Sequence, residues 1–103
     1  MTKTDVVNKI IKKLGPAALA GQGAEECCEL AQALLKFQRI VEGVNPAAFM
    51  TEQDAVDNIT EEIADVKNLI EMIEQALGIS EDDVHMLRTL KMVRWMERMD
   101  LKA

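Results

Sequence analysis

Apolar residues recur at helical spacing in four stretches of this chain, set apart by glycine-containing breaks. The first runs from about Thr4 to Leu14, with Thr4 as N-cap, Asp5 in the first turn and Val6, Val7, Ile10, Ile11 and Leu14 as its stripe. Gly15-Pro16 ends it and opens a second helix reaching about Val41, whose main apolar arc is Cys27, Ala31, Leu34, Leu35 and Val41, widened by Leu30 and Phe37. Gly21 and Gly23 weaken its opening turns and leave room for a close approach. Gly43 to Met50 reads as a loop, with a turn at Asn45-Pro46 and a short cover over the site from Ala47 to Met50. Thr51, with Asp54 three residues on, caps a third helix ending at Leu77, and Ser80 caps a fourth from about Glu81 to Leu101.

Two acids in the third helix stand where the pattern calls for leucine. Ile59, Val66, Leu69, Ile70, Ile73 and Leu77 share one arc, Glu62 projects near its middle, and Asp65 lies at its edge. Glu61, Glu71 and Glu74 already supply a solvated face. The second helix repeats the anomaly: Glu26 falls among Leu30, Ala33, Phe37 and Ile40, with Gln22 one turn earlier and Glu29 at the border with solvent. Residues three apart lie one above the other on a helix. Antiparallel packing of the two helices would therefore gather Glu26, Glu29, Glu62 and Asp65. Four carboxylates at that range repel or protonate unless a cation joins them. A hard divalent ion bound by oxygens resolves the conflict; Mg²⁺ suits it best, with Mn²⁺ as the alternative, because it leaves positions for phosphate oxygens. The competing explanation is ion pairing to Lys91, Arg94 and Arg98 of the last helix.

Composition narrows the class. The 103 residues form one domain, and with three aromatic side chains the apolar volume falls to Leu, Ile, Val, Ala and seven Met, a palette for an all-α fold. A net charge of −6 argues against a nucleic-acid polymer or an anionic membrane as partner. No apolar run approaches a membrane span and no leader is evident, so the cytoplasm is the expected compartment. Adjacent Cys27 and Cys28 project about 100° apart on a helix, which disfavours a disulfide between them; they lack partners at zinc spacing, and Cys27 is expected to pack as a small hydrophobe.

The last helix is apolar nearly all round, through Val84, Met86, Leu87, Leu90, Met92, Val93, Trp95, Met96 and Met99, and is expected to be enclosed by a second subunit. Lys91, Arg94 and Arg98 form a stripe on it, with Arg88 at the margin and Trp95 alongside: either snorkelling side chains or a rail for phosphates. His85 points elsewhere. The chain has no Gly-Lys-Ser/Thr phosphate loop, dinucleotide fingerprint or Ser/His/Asp set.

Glu25-Glu26-Cys27-Cys28-Glu29, followed by Glu62-Ile63-Ala64-Asp65, resembles the EExxE and ExxD signature of the MazG-like nucleoside triphosphate pyrophosphohydrolases, and the closing KMVRWMER segment stands in family order. The resemblance implies an antiparallel four-helix bundle-like fold completed by dimerisation, as a homodimer or a dimer of dimers. It implies Mg²⁺ on Glu26, Glu29, Glu62 and Asp65, with Glu25 holding or activating a water. Lys91, Arg94 and Arg98 would meet the triphosphate, and Gln22, Asn58 and Trp95 would contact base or sugar. The implied reaction splits a (d)NTP between the α and β phosphates in nucleotide-pool housecleaning. Phosphoribosyl-ATP pyrophosphatase is the nearest alternative, although Val66 to Leu69 reads VKNL where that enzyme carries a different segment. A non-catalytic helical dimer that binds metal or nucleotide is the alternative from another class.

Overall fold

Side-chain caps open each helix of the computed structural model, which describes residues 1–44 and 50–101. Helix α1 (Lys3–Glu42) begins at Thr2, whose Oγ1 accepts from the Asp5 N–H at 3.1 Å while the Asp5 carboxylate accepts from the Thr2 N–H at 3.0 Å. The cap is therefore Thr2, two residues before the expected Thr4. The reason is chemical: Asp5 stands three residues after Thr2 and completes a reciprocal pair, whereas Val7 in the same relation to Thr4 offers no acceptor. Helix α2 (Glu52–Leu77) has the expected box, with Thr51 and Asp54 exchanging two bonds of 3.0 Å. Ser80 caps α3 (Glu81–Arg98), accepting from the Asp83 N–H at 3.2 Å. Gly43 and Gly78 close α1 and α2 in the left-handed conformation.

The expected break at Gly15 is a bend within α1. Gly15 has φ 81° and ψ 168°, a backbone that side-chain-bearing residues rarely adopt, and Pro16 after it needs no N–H partner in a first helical turn. The arm 3–14 thereby turns back along the molecule. Val7 meets Leu19 and Met72, with Ile10, Ile11, Leu69, Ile73 and Ala76 packed around them. Lys3 Nζ lies 3.2 Å from the Glu71 carboxylate and joins the arm to α2.

Between the long arm 16–42 and α2 runs a seam with heptad spacing. On α1 it comprises Leu19, Gly23, Glu26, Leu30, Ala33, Phe37 and Ile40; on α2, Ala55, Ile59, Glu62, Val66, Leu69, Ile73 and Ala76. All are buried or half-buried. Gly23 lies against Ile73, while Glu26 reaches Glu62 and Asp65, so position falls along α2 as it rises along α1 and the helices are antiparallel. This corrects the expected main arc of the second helix: Cys27, Ala31, Leu34, Leu35 and Val41 are exposed, and the face taken as secondary makes the contact. Gly23 and Ala33 explain the choice, since small side chains let the helices approach closely where the bulk of Leu34 and Leu35 would hold them apart. Cys27 is exposed beside Cys28, not packed as expected.

Helix α3 buries no residue within the protomer. Met86, Leu90, Met92, Trp95 and Met99 are each about half exposed or more. Among the described residues, the enclosure expected for this helix is therefore not made. The helix stops at Arg98, short of Leu101, with Asp100 at φ 54° and the Leu101 N–H turned back to the Met96 carbonyl at 3.0 Å. Among the described residues no helix is long and apolar enough to cross a membrane. The turn at Asn45-Pro46 and the cover expected from Ala47 onward fall on residues 45–49, outside the described ones.

Candidate acidic metal centre

The seam that brings α1 and α2 together also brings their misplaced acids together. Glu26, Glu62 and Asp65 each present a carboxylate oxygen within 4.8 Å of the other two. Glu26 and Glu62 occupy seam positions between apolar layers and are half-buried; Asp65 is exposed. The Oε2 atoms of Glu26 and Glu62 are buried and have no hydrogen-bond partner. Such atoms are rare in folded proteins, since an unsatisfied buried acceptor loses its hydration without replacement. The other oxygen of Glu26 accepts from Gln22 Nε2 at 3.2 Å.

Among the described residues no cation pairs with these acids. The one ion pair among the described residues joins Lys3 to Glu71 and includes none of the three acids. Loss of surrounding water pushes the Glu26 carboxyl above its usual range; the Gln22 hydrogen bond pulls the other way, and the charges of Glu29 and Asp65 push it further up. Three converging carboxylates with two unused buried oxygens fit a hard divalent ion: they supply anionic oxygen donors, and the exposed Asp65 side leaves room for water or phosphate oxygens.

Of the residues singled out from sequence, the fold unites Glu26, Glu62 and Asp65. Glu29 lies close enough to Glu26 to influence it but is exposed and outside the group of three, and Glu25 is exposed beside it. Asn58 is half-buried one turn before Glu62. Lys91 and Trp95 share with His85, Arg88 and Met92 an open groove of about 580 Å³ along α3; Arg94 and Arg98 do not line it. None of the three α3 cations pairs with the acids within the protomer.

Sequence reasoning placed Gln22 toward base or sugar and missed its bond to Glu26, although a Gln four residues before a Glu on one helix face was the available signal. The close approach expected at Gly21 and Gly23 is made at Gly23 alone, by Ile73. The participation of His85 and Arg88 in a groove had no signal beyond their spacing.

Comparison with known proteins brings no match: no family model, no curated protein and no solved structure aligns with this chain.

Proposed function

We propose that Glu26, Glu62 and Asp65 hold a divalent cation, Mg²⁺ or Mn²⁺ in its place, and that the protein is a MazG-like pyrophosphohydrolase splitting nucleoside triphosphates between the α and β phosphates. The observation that carries this reading is the pair of buried, unpartnered carboxylate oxygens on facing helices. A purely structural acid cluster would be expected to find lysine or arginine partners, and among the described residues it has none.

When bound, the ion would neutralise phosphate oxygens and lower the pKa of a coordinated water. Glu26 and Glu62 present their carboxylates in the seam, oriented by the helices that carry them. Asp65, which is exposed, is the carboxylate through which solvent and substrate reach the group. Glu25 and Glu29 are exposed on α1 beside Glu26, and a carboxylate there is suited to accept a proton from a water. In the net reaction the water oxygen bonds to phosphorus, the α–β bridging bond breaks, and monophosphate and pyrophosphate leave.

The assembly belongs to this reading. Val56, Ile63, Ile70 and Leu77 make a second heptad stripe on α2 that is exposed, and Leu34 and Val41 do the same on α1. Together with α3 they leave more apolar surface uncovered than monomers usually tolerate. A second copy of the chain is the occupant we propose, in a dimer or a pair of dimers, bringing the Lys91, Arg94 and Arg98 stripe toward the phosphates of a neighbouring site.

The test is pyrophosphate release from a panel of canonical and modified NTPs and dNTPs, with Mg²⁺ and with EDTA, for the wild-type chain and Glu62→Gln. Metal-dependent release confined to a few substrates, absent from the variant, supports the assignment. No release from a folded chain that still binds metal overturns it in favour of a non-catalytic metal-binding dimer, and release from phosphoribosyl-ATP alone moves it to that pyrophosphatase.

A further inference from the structure

Within the acidic centre one carboxylate differs from the others in having a side-chain partner. Glu26 Oε1 accepts from the Gln22 amide at 3.2 Å, while its Oε2 is buried and unpartnered, and one oxygen of the Glu26 carboxylate lies within 4.8 Å of an oxygen of Glu62 and of Asp65. Engaging one oxygen of a carboxylate fixes its plane and leaves the second as the free donor. The chemistry of the partner matters as much as its position. A lysine or arginine at position 22 would also hold Glu26, but would cancel the charge a cation needs. An amide donates a hydrogen bond and adds no net charge. Outer partners of metal-binding carboxylates act in this way, and their loss commonly weakens metal affinity 10- to 100-fold.

We infer that Gln22 is a positioning residue of the metal centre, orienting Glu26 so that its buried Oε2 faces Glu62 and Asp65, and is not a contact to base or sugar. The inference rests on the proposed metal site. Gln22 is itself exposed on the first helical arm after the bend, one turn from Glu26, and so can act without a role in the core.

The experiment is Mn²⁺ titration of the full chain followed by electron paramagnetic resonance, with thermal unfolding in EDTA on the same samples. Gln22→Met keeps length and removes the donor; Gln22→Lys supplies a competing charge; Glu26→Gln is the control for the site. The expected result is a loss of Mn²⁺ affinity of about 10-fold in Gln22→Met. Gln22→Lys should lose more affinity while its metal-free form unfolds at a higher temperature, a combination that a merely structural hydrogen bond would not produce. Unchanged Mn²⁺ affinity in Gln22→Met, with affinity lost in Glu26→Gln, would overturn the role of Gln22 and leave the site standing; a change only in the KM for a triphosphate would return Gln22 to substrate contact. Unchanged affinity in Glu26→Gln would overturn the metal site and the role of Gln22 together.

Discussion

Ile73 packs directly onto the backbone of Gly23: a Cβ placed on that glycine would lie 2.7 Å from Ile73 Cδ1. The contact sits one turn of α1 from Glu26 and is part of what fixes how closely the two acid-bearing helices approach. On helix propensity alone, Gly23→Ala should stabilise by about 1 kcal/mol. In the wild-type background the displaced Ile73, half-buried against the core of Val7, Leu19 and Met72, should cancel or reverse that gain. Ile73→Val removes Cδ1, and in that background Gly23→Ala should recover its full benefit. A double-mutant cycle read by urea unfolding measures the coupling; equal effects in both backgrounds would show that the contact does not set the helix spacing.

Burial of Glu26 gives a pH dependence of definite sign. Its folded-state pKa is raised above the ordinary 4.5, chiefly by loss of water, so the folded protein holds the proton more tightly than the unfolded chain does. The corresponding stability is complete below about pH 4.5 and is lost as the pH rises through the raised value. In EDTA, Glu26→Gln should therefore unfold at a higher temperature than wild type at pH 7, and the advantage should disappear below about pH 4.5. Calorimetry across pH 3.5 to 7.5 checks this, and a variant less stable at neutral pH would contradict it.

Metal should invert that ranking. An ion that binds only the folded chain stabilises it by about 2.7 kcal/mol at one hundred times its dissociation constant. Wild type should rise in unfolding temperature with added Mg²⁺ or Mn²⁺ and fall back on chelation, whereas Glu62→Gln should respond little and should lose turnover while remaining folded. Differential scanning fluorimetry with and without EDTA is sufficient.

Substitution on α3 should separate the proposed association from folding. Leu90→Asp places a charge in an exposed apolar surface that the α1–α2 core does not use. Helix content should persist, while sedimentation should show the assembly shifted toward protomers. An unchanged sedimentation coefficient would exclude this part of α3 from the interface.

The cap of α2 offers a control remote from metal. Thr51→Ala removes the acceptor for the Asp54 N–H and should cost about 1 kcal/mol. Mn²⁺ affinity should be unaffected, since Glu62 lies three turns further along the helix.

How far the sequence could be read depended on whether a residue's fate was decided locally. The caps at Thr51 and Ser80 and the bend at Gly15-Pro16 follow from residues a few positions apart, and all appear. Glu26, Glu62 and Asp65 stood out because an acid among apolar neighbours is legible in one helix at a time. Which of two apolar faces of α1 would meet α2 was not local. Leu34, Leu35 and Val41 carry more hydrophobic volume than Gly23 and Ala33, yet closeness of approach selected the smaller residues. Glu29, one turn from Glu26, is exposed and lies outside the group. The enclosure expected for α3 is not made by the described residues of the chain.

The exposed condition of α3 also divides the chain in time and in exchange behaviour. Residues up to Leu77 contain the seam, the bend and the buried side chains, and can gain protection against amide hydrogen exchange as one unit. Helix α3 contributes nothing to that unit, so in a dilute protomer its amides should exchange at a rate set by isolated-helix fraying, with protection growing only as concentration rises. Slow exchange in α3 would then report the neighbour's presence, and slow exchange in α1 and α2 the fold itself.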